Sequence, residues 1–491
     1  LNLNVPFEYQ NEKIKSNLEK NVDTLKKLCS NSVDLLITKV KVSNIDCALI
    51  STDGMLSTQT VTNLIFLPLN QLNLQDVSSV QLLDYIYNNK LLSTDTKQVF
   101  DYGTLIRMTN SGFAILIADN CNYAIAFGVQ GYNTRSISEP SNEQNIMGSH
   151  EGFVENVRIN MSLIRRRMKS PTLKFEMVVK GSKSYTDIFI CYMVDRVSKE
   201  LLNRIKKSLK NIDAETILLS GYVQPFLESP KARIFDSVGY SERPDVICSK
   251  LVEGRVAILI DGTPFVLIVP KLLNDSFQTI DDYSGKPFYA TFIRWLKYVS
   301  FILAIMLPAF YVAISLHNPE LLNRELLILL AQSEENAPFS ILIEAFGVLL
   351  VYEIIKEAGL RLPKAVGGAV SIVAGLIIGD CAVSSGLISN PLLTVSAISV
   401  VCGFTLPDLA RQISVLRLCY LVVGGIFGLF GIGLLTMLTI FNACDTQDYG
   451  FPFTFPLIPF SKQCMRDVVT RVSFRKMQSG NFTINDAKFK D

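Results

Sequence analysis

A chain of 491 residues has room for about three domains at ~150 residues each. Its net charge of +2 implies no large basic face and argues against nucleic acid as a partner; two histidines, His150 and His317, leave no histidine-based metal centre. The ten cysteines show no CxxC spacing, and Cys381, Cys402 and Cys419 sit inside apolar runs, so they read as small buried hydrophobes in a reducing compartment.

Residues 1–30 are rich in Lys, Asn and Glu and read as a helical or loose leader. They contain no apolar h-region, so no cleavable signal peptide is expected and the front half is placed on the cytoplasmic side. A first α/β subdomain is expected over 31–135, with strand-like runs at 46–50, 113–118 and 122–127 and helix-like stretches near 58–66 and 76–88. A polar linker containing Pro140 follows at 136–149. The second α/β subdomain, 150–285, carries an amphipathic helix at 151–168, strands at 173–180 and 185–193, a helix at 197–209, and strands at 255–260 and 264–269. Gly112–Asp119 (GFAILIAD) echoes Gly254–Asp261 (GRVAILID), each followed by a turn and a second apolar run. Either the unit is duplicated or two unrelated hairpins share ordinary strand composition.

From Trp295 the character changes. A hydrocarbon core of ~30 Å needs ~20 apolar residues per helical crossing. Segments 296–316, 366–388 and 413–441 meet that length, while 340–355 and 391–406 are shorter and either cross or lie re-entrant. The expected fold is therefore an α/β soluble N-terminal half of two subdomains followed by an all-α polytopic membrane domain, 290–445, with four to six embedded segments. Trp295, flanked by Arg294 and Lys297, suits an interfacial anchor. A Pro-rich segment and basic tail, 446–491, completes the chain; its charges favour the inside, which requires an even number of crossings.

No catalytic constellation is present: there is no P-loop, no GxSxG and no HExxH, so no enzyme activity, cofactor or metal is expected. Ionisable residues at membrane depth carry more information. Glu344, Glu353 and Glu357 lie on one apolar helix and Asp380 in the next segment. A charge at a helix centre costs ~2.5–3.5 kcal/mol on insertion scales, so such groups face protein or water. Glu344, Glu353 and Asp380 are candidate pore or gating residues, whereas Glu357 and Arg361, four apart in the acid-first order, are a candidate structural ion pair. The glycines of 424–433 permit close helix packing. Outside the membrane region, Arg165, Arg166 and Arg167 with Glu242, Arg243 and Asp245 are candidate subunit contacts; the bland alternative for the arginines is a solvated helix face.

Several stretches together resemble the A subunits of bacterial spore germinant receptors, the GerA-type family. They include NVRINMSLIRRR (156–167), SERPD (241–245), EGRVAILIDGTP (253–264), DDY (281–283), PFSILIEA (338–345), EIIKEAGLRLP (353–363) and GFPFTFPLIP (450–459). Departures are Leu349 and Ser284, where many members carry glutamate and tyrosine, and a divergent tail over 462–491. The resemblance implies a multi-pass protein of the spore inner membrane, with a transporter-like B subunit and a lipoprotein C subunit as partners. It also implies homo-oligomers that form an ion-release pathway in response to nutrients. The alternative is a secondary transporter acting alone; such proteins favour repeated halves and broken helices, and 296–441 shows no second copy of its pattern.

Overall fold

The computed structural model describes residues 12–56, 58–74, 77–89, 92–93, 95–129, 143, 148–229, 233–334, 338–362, 379–461, 464–473 and 484. The first unit runs α1 (Leu18–Leu28), β1 (Leu35–Val42), β2 (Ile45–Thr52), α2 (Ser79–Asn88), β3 (Thr96–Val99), α3 (Tyr102–Thr109), β4 (Phe113–Ala118) and β5 (Ala124–Gly128), with a short helical stretch between β2 and α2. The second runs α4 (Val157–Arg167), β6 (Leu173–Lys180), β7 (Thr186–Met193), α5 (Lys199–Lys210), β8 (Gly239–Ser241), α6 (Pro244–Val252), β9 (Val256–Ile260) and β10 (Val266–Val269). The sheets are antiparallel, in the orders β1-β2-β4-β5-β3 and β6-β7-β9-β10-β8, which is one topology used twice.

The correspondence extends to single hydrogen bonds. Asn17 and Asn156 cap α1 and α4. Asp119 Oδ1 accepts from Leu18 N at 2.9 Å, and Asp261 Oδ1 from Val157 N at 3.1 Å. Asn21 and Asn160 each exchange two bonds with the backbone six residues earlier, Lys15 and Val154. The echo at 112–119 and 254–261 therefore marks equivalent strands, β4 and β9. Both are buried along their whole length, which explains continuous apolar runs in place of alternation. α1 packs Leu18, Val22 and Leu25 into the first core, so the unit begins before residue 31.

The units meet along β1 and β6. Val33 N donates to Phe175 O at 3.2 Å, Phe175 N to Ser32 Oγ at 3.0 Å, and Arg158 pairs with Asp53. Gly54 (φ +75°) sits so close that a Cβ would lie 2.8 Å from Arg158 O.

The C-terminal half is helical: α7 (Pro287–His317), α8 (Arg324–Glu334), α9 (Ile341–Arg361), α10 (Asn390–Phe404) and α11 (Ala410–Asp445). Among the described residues two helical stretches, α7 and Pro407–Asp445 containing α11, are long and apolar enough to cross a membrane. α9 and α10 occupy the two shorter expected segments, and most of 366–388 lies outside the described residues.

The expected single span over 413–441 needs correction. Gly428 has φ 62° and ψ −151°, and α11 doubles back there. Tyr420 Oη lies 3.2 Å from Thr436 Oγ1, although sixteen residues of straight helix would separate them by ~24 Å. The hairpin tip touches His317 at the far end of α7, and its feet return to the α/β units. Phe451 and Phe455, just beyond α11, enter the core of the second unit.

Candidate functional site

The carboxylates of α9 separate by environment. Glu344, in the first turn, is 4 % exposed and accepts from Ser389 N at 3.3 Å; no cation lies within 4.0 Å among the described residues. Glu353 meets Lys356 at 2.6 Å, and Lys356 also donates to Ser414 Oγ at 2.8 Å. Glu357 and Arg361 pair at 2.6 Å, with side chains 59 % and 79 % exposed. Asp380 is exposed, and among the described residues no hydrogen bond or ion pair joins it to Glu344 or Glu353. Of the three pore candidates, only Glu344 is thus a buried carboxylate without a cation beside it.

A second polar node arises from Pro308, inside α7. A proline has no N–H to give the carbonyl four residues back, so Ala304 O is left free. Ser399 Oγ of α10 donates to it at 2.8 Å and Arg417 Nε of α11 at 2.9 Å. One missing hydrogen bond thereby ties three helices together, with the Arg417 guanidinium resting over the Tyr352 ring. The proline was visible in the sequence; the two donors to Ala304 O, 95 and 113 residues further on, were not.

Most arginines proposed as subunit contacts are engaged within the chain. Arg165 is 3 % exposed; it donates to Asp34 at 2.9 Å and to the Ser170 and Leu173 carbonyls, so it joins the two units rather than facing a partner. Arg166 and Arg167 share Glu151. Arg243, also buried, is held by Asp245 at 2.6 Å and by the Glu143 and Ser149 carbonyls, and Glu242 is buried beside it. These motifs act here as internal clamps, because each arginine finds its acceptors in the fold before it reaches the surface.

The junction between the second unit and α7 holds the groups that sequence reading did not assemble. Arg255, after the turn ending α6, is fully buried against Glu253 (2.8 Å) and Asp275, with its Nη1 donating to Pro270 O at 3.1 Å. Lys250 reaches Asp275 at 2.8 Å. Burial pushes the Asp275 carboxyl up, but Arg255 and Lys250 outweigh it and hold the group below the usual carboxylate range. Arg294, in the second turn of α7 and 0 % exposed, takes Asp282 at 2.8 Å and Asp467 at 3.0 Å; Tyr283 Oη donates to the same Asp467 at 2.6 Å. The C-terminal segment 464–473 therefore sits on the foot of α7, on the side of the α/β units. The two motifs EGR and DDY supply this junction.

Comparison with known proteins follows the same lines. Residues 23–481 match the family model described as Bacillus/Clostridium GerA spore germination protein. The chain is 34 % identical over 464 residues to spore germination protein KA of Bacillus subtilis (strain 168), covering 94 % of this chain and 85 % of that protein. Against spore germination protein B1 of the same organism it is 29 % identical over 467 residues (94 % and 95 % covered), and against its uncharacterized membrane protein YfkQ 31 % over 472 residues (95 % and 91 %). A crystal structure of the N-terminal domain of the A subunit of the Bacillus megaterium spore germinant receptor GerK3 is 28 % identical, covering 53 % of this chain and 97 % of that one, with a TM-score of 0.41. With a match across nearly its whole length, and two α/β units feeding an apolar helical half, this chain belongs to the GerA family of spore germination proteins.

Proposed function

We propose that this chain is the A subunit of a nutrient-sensing receptor in the spore inner membrane, working with transporter-like B and lipoprotein C subunits and carrying no enzyme activity. In this reading copies of the helical half surround an ion-release pathway, with the α/β units on the core side. The observation that carries it is Glu344, a carboxylate buried in an apolar helix bundle with no cation beside it among the described residues. A fold keeps so costly a group where it meets ions, water or another subunit. The helical half exposes apolar side chains, with Phe430, Met437 and Phe441 at 79 %, 76 % and 70 % exposed, as lipid contact requires.

The test is Glu344→Gln, which removes charge with little change of shape, beside Glu353→Gln. Nutrient-triggered ion release should change in rate for Glu344→Gln in spores whose receptor level is unchanged. Glu353→Gln, with Lys356 left unpaired, should have an effect of its own. Wild-type release in both variants at normal receptor level would refute the pathway role.

The break at Gly428 is what a lone secondary transporter would offer, since those proteins use discontinuous helices at the midplane. Here the break lies at a hairpin tip beside the end of α7. Saturable solute uptake by the reconstituted chain alone would favour that reading.

A further inference from the structure

The junction encloses a cavity of about 260 Å³, walled on one side by the second α/β unit and its connector and on the other by Lys297 of α7 and the 405–408 turn between α10 and α11. That volume is small beside the ~300–1,000 Å³ of drug-sized sites, and suits a compact ligand.

Not every cation at its wall has an acid in contact. Arg255 and Lys250 are matched by Asp275 and Glu253, and Arg243 by Asp245. Lys271 and Lys297 remain: among the described residues neither has a carboxylate within 4.0 Å. Lys297 is only 9 % exposed, and among the described residues its ammonium bonds to neutral oxygens, Phe277 O at 3.3 Å and Thr279 Oγ1 at 3.2 Å. Asp282, a buried acid that acts on Lys297 without contact, is already held by Arg294 and Thr279. Ser276 Oγ, also at the cavity, is buried with no hydrogen-bond partner among the described residues. Of the remaining acids, burial pushes the Glu143 carboxyl up to about 7, which weakens it as a counter-charge, and Asp408 faces both lysines from beyond 4.0 Å, its own carboxyl raised chiefly by desolvation. A buried ammonium without an anion is costly, and a hydroxyl without a partner adds to that cost.

We infer that this cavity binds a small oxyanion, a carboxylate or phosphate group, held between Lys297 and Lys271 with Ser276 donating its hydroxyl. Lys271 belongs to the α/β unit and Lys297 to α7, so the anion bridges the two halves of the molecule. The same chemistry can come from a diffusible anion or from a lipid headgroup, because the cavity lies where the helices leave the α/β units.

The test uses the full chain in maltoside micelles, which contain no phosphate. Thermal unfolding is followed while inorganic phosphate is titrated against chloride at matched ionic strength, and separately while short-chain phosphatidylglycerol is added. One of the two should give saturable stabilisation in the wild type. Lys297→Met and Lys271→Met should weaken the apparent affinity about ten- to a hundredfold, the value of one or two charge-assisted hydrogen bonds. Lys297→Arg, which keeps the charge, should retain most of it and guards against a folding defect. A phosphate response identifies a diffusible anion, and a response to phosphatidylglycerol alone identifies a headgroup. If neither probe stabilises the wild type, or if both methionine variants respond like the wild type, the proposal is overturned.

Discussion

Arg165→Met should be among the most destabilising single changes outside the helical half. The guanidinium donates to Asp34, to Ser170 O at 2.9 Å and to Leu173 O at 2.9 Å, and lies over the Phe175 ring. Methionine keeps part of the packing but strands Asp34, 2 % exposed, with Ser32 as its remaining side-chain donor. Breaking a buried pair from one side costs ~3–5 kcal/mol, against a whole-domain stability of ~5–15 kcal/mol. For a cooperative unit of 150–250 residues, that lowers Tm by roughly 6–20 °C. Replacing both partners, as Asp34→Leu with Arg165→Met, should recover much of the loss, because no unpaired charge then stays buried. Thermal unfolding of the full chain in detergent reads all three variants. If Arg165→Met costs under ~1 kcal/mol while recovery of partner subunits falls, the arginine serves an intermolecular contact and the reasoning here is wrong.

Further expectations follow from other positions. Gly428→Ala should destabilise the helical half by ~1–3 kcal/mol, since φ 62° with ψ −151° is essentially glycine-only and a Cβ would stand 3.1 Å from His317 Cγ; an unchanged melting temperature would deny the hairpin. Glu176 carries a pH signature. Burial pushes its carboxyl up, but Lys206, Tyr192 and Lys174 outweigh this and lower its pKa to about 2. A depressed acid stabilises above its unfolded value of ~4.3 and loses that contribution as pH falls towards the folded one, so Glu176→Gln should flatten acid unfolding between about pH 4.5 and 2. Glu357→Gln should leave protein level unchanged, because so exposed a pair with Arg361 is worth at most ~0.5 kcal/mol; a clear drop on immunoblots of spore membranes would show that a partner covers it.

Local pattern was enough for the elements that bury a whole strand or one helix face. The runs at 113–118 and 255–260, the amphipathic 197–209 stretch and the apolar segments after Trp295 were legible because burial acts on neighbouring residues in a fixed period. The echo of 112–119 in 254–261 even hinted at the repeated unit. β1, with its mixed charges and edge position, was not legible, and nor was α1 as part of the first core.

What only the tertiary structure decided are the pairings across distance. The sequence presents Arg165 and Arg255 as charges in search of partners; the fold gives them Asp34 and Asp275, both from other elements. It likewise reads 413–441 as one span, because hydropathy averages over a glycine whose positive φ turns the helix back on itself. Glu344 shows both limits: its cost in an apolar helix was evident from sequence, but its isolation from every described cation depends on where Lys356, Arg361 and Arg417 come to rest. Composition and period fix what must be buried, whereas the partner of a buried charge is set by whichever chain segment the packing brings within hydrogen-bonding reach.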